Sequence, residues 1–146
     1  MSKIQLIYAS KATPECTEQD FRKIKESAAK RNAQANVTGL LCYGNDRFIQ
    51  VLEGDSVAVN DIYHRITRDP RHTDFRLLLV EPIPGRFYEG WDMQCVLLDD
   101  KPSREIHQIV LKYADGEIFA PEEYSPGYAR NFLEDIKNYI RLRSDS

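Results

Sequence analysis

Two apolar runs, residues 37–43 and 47–53, stand on either side of Gly44-Asn45-Asp46. Runs of that length, separated by so short a turn, fold back on one another as an antiparallel hairpin. A helix-period segment and a further apolar run flank the hairpin on each side. Upstream, residues 3–9 alternate, with Ile4, Leu6 and Tyr8 on one face and Lys3, Gln5 and Ile7 on the other. Pro14 breaks this run, and Thr17 with Asp20 resembles a capping box. Phe21, Ile24 and Ala28 then mark one face of a helix expected to end near Asn32. Downstream, Asp55 or Ser56 can cap a second helix with the stripe Val59, Ile62, Tyr63 and Ile66, which Pro70 ends. Residues 75–81, centred on Leu77-Leu78-Leu79-Val80, form a fourth strand, and residues 91–98 a fifth.

The resulting order, βαββαβ with an added strand, is an α+β pattern. It predicts a ferredoxin-like sheet with two helices on one face. Right-handed crossovers place the first and third strands together at its centre. The second and fourth strands read as apolar on both faces, so the face away from these helices must also be covered. Ile106, Ile109, Val110 and Tyr113, then Phe132, Leu133, Ile136 and Ile140, have the spacing of two C-terminal helices. Asp115-Gly116, Pro121 and Pro126-Gly127 connect them. These helices are expected to cover the sheet within one subunit or across an oligomer contact. With 146 residues the chain is expected to be one body, residues 1–98 carrying the site and 99–146 a helical extension.

Composition narrows the function classes. Twenty basic against twenty-three acidic residues give a net charge of −3, which leaves no basic footprint for nucleic acid. No apolar stretch approaches the roughly 20 residues that span a bilayer. The first residues lead directly into a strand, without a secretory layout. Cys16, Cys42 and Cys95 are odd in number and lack a CxxC pair, so they read as reduced thiols of a cytoplasmic protein, with no metal site. No phosphate-cradling glycine loop or nucleophile–base pair is visible, which makes an acylphosphatase-like enzyme a weak reading.

Gln50 lies in the middle of Phe48-Ile49-Gln50-Val51-Leu52. An amide left unpaired inside a protein costs about 1–3 kcal/mol, so a polar partner must meet it there. Tyr8 interrupts the first strand in the same way, and the topology makes the two neighbours. Two helices above these strands frame a slot with walls expected from Ile24, Ile66, Phe48 and Leu40. Asn32 and Gln50 would point inward, with Arg65 and Asp69 at the rim. A flat heteroaromatic ring with donors and acceptors along one edge would satisfy that lining. Each residue also has a plain structural role: a bulge for Gln50, a core tyrosine for Tyr8, a helix cap for Asn32, and a solvated pair for Arg65 and Asp69. A small-molecule sensor with an unpigmented ligand remains an alternative at this point.

Several strings together carry a family resemblance: Leu6-Ile7-Tyr8-Ala9-Ser10, Asn36-Val37-Thr38-Gly39-Leu40-Leu41, Phe48-Ile49-Gln50-Val51-Leu52-Glu53-Gly54, Arg65-Ile66, Asp69-Pro70-Arg71-His72 and Trp91-Asp92-Met93. The chain resembles the BLUF domains, flavin-binding blue-light sensors, and among them the short stand-alone PixD-like members. Leu111-Lys112-Tyr113 and Asn131-Phe132-Leu133 are similar to the tail of those members. The resemblance implies a non-catalytic photoreceptor holding FAD between the two helices. Asn32 and Gln50 would meet the polar edge of the ring, Arg65 and Asp69 lie along it, and Arg71 or His72 sit near the ribityl or phosphate end. It further implies that Tyr8 donates an electron and a proton through Gln50, and that the rearranged hydrogen bonds bias the last strand through Trp91 and Met93. The signal would leave through self-association and a light-dependent partner protein. Arg31, Ala28 and Asp92 depart from the residues usual in the family.

Overall fold

The computed structural model describes residues 2–144 apart from 15, 99–102, 115 and 117. Asp115 of the expected connector, and the start of the expected extension at residue 99, therefore lie outside the described residues. Five strands, β1 (Lys3–Ala12), β2 (Thr38–Gly44), β3 (Arg47–Asp55), β4 (His72–Pro82) and β5 (Gln94–Leu97), form one sheet in the order β4-β1-β3-β2-β5. β2 and β5 pair in parallel, and the other pairings among the described residues are antiparallel. Helices α1 (Glu18–Ala35) and α2 (Ser56–Thr67) provide the two crossovers, and α3 (Arg104–Tyr113) and α4 (Pro126–Ser144) follow the sheet. This is the ferredoxin-like α+β arrangement with an added fifth strand.

The local chemistry explains the element ends. The hairpin turn is Asn45-Asp46, both with positive φ, which is the backbone that a two-residue turn between twisted strands needs. Thr17 and Asp20 close a reciprocal capping box, with backbone-to-side-chain bonds of 3.2 and 2.9 Å. α1 runs one turn further than expected, because Asn36 rather than Asn32 adopts the left-handed cap. Asparagine tolerates that conformation, whereas Asn32 has helical neighbours on both sides. Asp55 precedes α2 but makes no side-chain cap bond. β5 is shorter than expected, and Trp91 and Met93 stand just ahead of it, where the Trp91 carbonyl accepts from Gly39 N at 2.8 Å.

The sheet separates two apolar layers. Leu6, Tyr8, Ile24, Leu41, Phe48, Leu52, Ile62, Ile66 and Met93 fill the space under α1 and α2. Ile7, Leu40, Cys42, Ile49, Val51, Tyr88, Phe132, Leu133 and Ile136 fill the opposite side, where α4 packs. One strand departs from expectation. β4 is an edge strand, and Leu77 and Val80 are 53% and 48% exposed rather than buried on both faces. An edge position leaves the outer flank of such side chains without a neighbouring strand, whatever their apolar character.

Candidate chromophore site

Tyr8 and Gln50 face each other directly across the β1–β3 ladder. Both side chains are 1% exposed. The Tyr8 hydroxyl donates to Gln50 Oε1, and Gln50 Nε2 donates in turn to Met93 Sδ at 3.4 Å. Burial pushes the Tyr8 phenol far above its ordinary range, with the Arg31 charge pulling the other way. The phenol therefore keeps its proton and can serve as the donor. Tyr63 and Phe75 pack on its ring at 5.5 and 5.8 Å.

A cleft of about 30 Å³ opens beside this pair. It is lined by Ile24 and Arg31 from α1, Ile66 from α2, Leu41 and Gln50 from the sheet, and Asp69, Arg71 and His72 after α2. Arg71 grips Asp69 through its Nε and Nη2 atoms at 2.6–3.1 Å. Burial alone would raise the Asp69 carboxyl, but the Arg71 bonds outweigh it and hold it below the usual range. His72 Nδ1 lies 3.2 Å from Ser10 Oγ, and its ring packs between Phe48 at 4.8 Å and Phe75 at 5.1 Å. Its burial lowers the imidazole to about 4, so it is neutral near pH ~7.

Some expected positions shift. Leu41, not Leu40, shares the sheet face of Gln50, because the hairpin register sets Leu41 directly opposite it. A strand's side chains alternate, so Leu40 falls in the layer under α4. Phe48 lies behind the cleft rather than in its wall. Arg65 does not border this cleft. It lines a second cavity of about 270 Å³ further along the α1–α2 groove, with Arg31, Gln34, Asp61 and Ile62. Trp91 and Met93 are divided between the layers: Met93 is 8% exposed and packs with Tyr8, whereas Trp91 packs against Tyr88 on the other side, 5.9 Å between rings. Ser27 and Arg31 also line the cleft, although the sequence reading passed over Ser27 and marked Arg31 only as a departure from the family pattern. They continue the α1 stripe of Ile24 and Ala28 at helical spacing, which is the signal that could have found them.

Asn32 is fully buried, and its Nδ2 has no hydrogen-bond partner among the described residues. Its Oδ1 accepts from Arg31 Nε at 3.4 Å. A buried amide donor without an acceptor calls for a ligand that supplies one. The family model described as "BLUF: Sensors of blue-light using FAD" matches residues 4–94. The chain belongs to the BLUF family.

Among curated relatives, it is 42% identical over 83 residues to photoactivated adenylate cyclase subunit beta of Euglena gracilis, covering 57% of this chain and 10% of that one. It is 36% identical over 81 residues to the blue light- and temperature-regulated antirepressor BluF of Escherichia coli (strain K12), covering 56% of this chain and 20% of that one. The chain thus spans about a tenth of the length of the cyclase relatives it matches. The solved structure of BlsA in its ground state superimposes with a TM-score of 0.80 at 26% identity, over 91% of this chain and 86% of that one. The dark-state BLUF protein BlrB gives 0.64 at 29% identity, over 66% and 73%.

BLUF domains use FAD as their chromophore, and the residues here fit it. The orphaned Asn32 Nδ2 is a donor for which a flavin edge would supply the acceptor, and Arg31 and Gln50 border the neighbouring cleft. Ile24 and Ile66 border the cleft from the two helices with apolar surface for a flat ring. No described helix is long and apolar enough to cross a membrane.

Proposed function

We propose that this BLUF protein senses blue light through the Tyr8–Gln50–Met93 chain of hydrogen bonds and passes the change to the C-terminal helices. FAD, when bound, supplies blue absorption and, once excited, an electron acceptor. Asn32 and Gln50 hold its polar edge, Ile24 and Ile66 enclose the ring with Phe48 behind, and Arg65, Asp69, Arg71 and His72 line the groove beyond. Tyr8 gives up an electron, and its proton leaves Oη along the bond to Gln50 Oε1. The amide can relay that proton because it has both a donor and an acceptor. When electron and proton return, Gln50 is left rotated or tautomerised, and its bond to Met93 changes.

The observation that carries this reading is the continuous path from the Tyr8 hydroxyl through Gln50 to Met93 Sδ. Residues 91–93 are in turn linked to α4. The Arg141 guanidinium lies over the Trp91 ring at 5.4 Å, and Lys137 Nζ lies over the Tyr88 ring at 5.1 Å. A segment held between two packing arrangements is a sufficient basis for a switch. Residues 1–98 then form the flavin-binding unit and 99–146 the extension that presents the signal to a second copy and to a partner protein, without catalysis of its own.

Purified protein loaded with FAD is expected to show a reversible red shift of its flavin absorption under blue light. Tyr8→Phe and Gln50→Leu should each retain FAD and lose the shift. An undiminished shift in Tyr8→Phe would remove the donor role, and one in Gln50→Leu would remove the relay.

A further inference from the structure

Arg31 occupies a singular position in the α1–α2 groove. It borders both the cleft at Tyr8 and Gln50 and the outer cavity at Arg65, so its side chain separates the two. Its Nε makes a long hydrogen bond, 3.4 Å, to Asn32 Oδ1. Asp69, the carboxylate of the inner cleft, is already held by Arg71 through both of its oxygens. Burial lowers the Arg31 guanidinium and the like charge of Arg65 on the facing helix adds to this, while Tyr8 and Asp69 pull the other way. A desolvated cation facing a second cation is satisfied by an acceptor-rich, electron-rich group placed between them. The neighbouring Asn32 Nδ2 has no acceptor among the described residues.

We propose that Arg31 is a chromophore-positioning residue: it moves from Asn32 Oδ1 to the edge of the flavin, joins the two cavities into one slot with Arg65 opposite, and there favours negative charge on the ring. This rests on the reading that FAD lies between α1 and α2. Reduction adds electrons to the ring system, and a fixed positive charge beside it stabilises the reduced chromophore more than the oxidised one. Arg31 thereby raises the reduction potential of bound FAD and adds to its retention. It also releases Asn32 Oδ1, so that the whole Asn32 amide can face the ring edge.

The test is an equilibrium titration of FAD-loaded protein against a redox dye, with Arg31→Gln and Arg31→Lys beside the native chain. Glutamine and lysine match arginine in helix propensity, so α1 is preserved. Arg31→Gln is expected to shift the reduced-to-oxidised ratio about tenfold toward oxidised, roughly 30 mV for a two-electron couple, and to release FAD more readily on dilution. Arg31→Lys should keep most of the native potential. A native potential in Arg31→Gln overturns the proposal while leaving FAD binding intact. A potential in Arg31→Lys as low as in Arg31→Gln overturns it too, because charge is the property invoked. Native protein that takes up no FAD overturns the reading on which it rests.

Discussion

At the scale of single residues, the site concentrates groups whose burial is tolerated only in one protonation state. The Tyr8 hydroxyl and the Gln50 carbonyl satisfy each other inside the sheet, so neither is stranded. His72 is a clear titratable case. It faces Asp69 at 3.8 Å, with Arg71 and Arg31 also near, and burial outweighs the carboxylate's pull to hold the ring at about 4. In an unfolded chain the same imidazole takes a proton near pH ~6.5. As pH falls through that value the unfolded state is protonated first, so stability declines until about pH 4, where the folded state is protonated as well. Integrated over that window, the loss is about 3 kcal/mol from this group. Asp69, held below its usual range, adds a loss of the same sign only at lower pH. Urea unfolding at neutral pH and near pH ~4 should therefore show a steeper decline in the native chain than in His72→Asn. Parallel declines would mean that the imidazole is charged in the fold.

At the scale of elements, the spacing between β2 and β3 is set by a missing side chain. A Cβ on Gly39 would lie 1.9 Å from the Val51 carbonyl oxygen and 3.3 Å from Met93 Cε. The first contact is with backbone, which cannot swing aside. Gly39→Ala must therefore push the strands apart, at a cost of at least about 2 kcal/mol, and disturb the seat of Met93. A lowered urea midpoint together with an altered dark flavin spectrum is expected, and an unchanged midpoint would contradict the close approach. The opposite face is joined by a polar network. Glu53 is fully buried, accepts from the Phe87 and Tyr88 amides at 2.8 and 2.9 Å, and takes a third bond from Gln5 at 2.7 Å. Gln5 Oε1 accepts from Arg130 of α4, which also pairs with Glu81. The Glu-Gly pair closing the β3 motif thus ties the sheet to the loop ahead of Trp91 and, through Gln5, to the helix beyond.

At the scale of the whole molecule, the sheet acts as a partition. Photochemistry is proposed on one side and output on the other, with residues 91–93 contributing Met93 to the first and Trp91 to the second. α4 meets the sheet side through three cations along one flank of the helix: Arg130 at Gln5, Lys137 at the Phe87 carbonyl and the Tyr88 ring, and Arg141 at Trp91. The Arg141 contact is made to the 91–93 segment itself, and the Lys137 contacts to Phe87 and Tyr88 just ahead of it, where the Tyr88 carbonyl accepts from Trp91 N at 3.2 Å. Illumination is therefore expected to raise amide hydrogen exchange over residues 137–143 more than over residues 129–135, in FAD-loaded protein compared dark against light. Equal change along the helix, or none, would remove α4 from the output route.

The sequence by itself determined the order of elements, the sheet class and the meeting of Tyr8 with Gln50. Those follow from local periodicity, a short hairpin turn and the handedness of crossovers, all written in neighbouring residues. It equally marked Asn36-Val37-Thr38-Gly39 and the Phe48 to Gly54 string as family motifs. Tertiary structure decided the rest. Which of Leu40 and Leu41 enters the site depends on strand register, and a shift of one residue reverses every side chain. Whether Leu77 and Val80 are buried depends on β4 being an edge, a property of sheet order and not of the strand's own composition. Arg31 stands out along the chain only as a departure from the family pattern, yet it becomes a partially desolvated wall between two cavities because α1 and α2 bring their facing stripes together. Unlike the β1–β3 pairing, which the handedness of the crossovers fixes, these contacts leave no pattern along the chain, so only the assembled fold could disclose them.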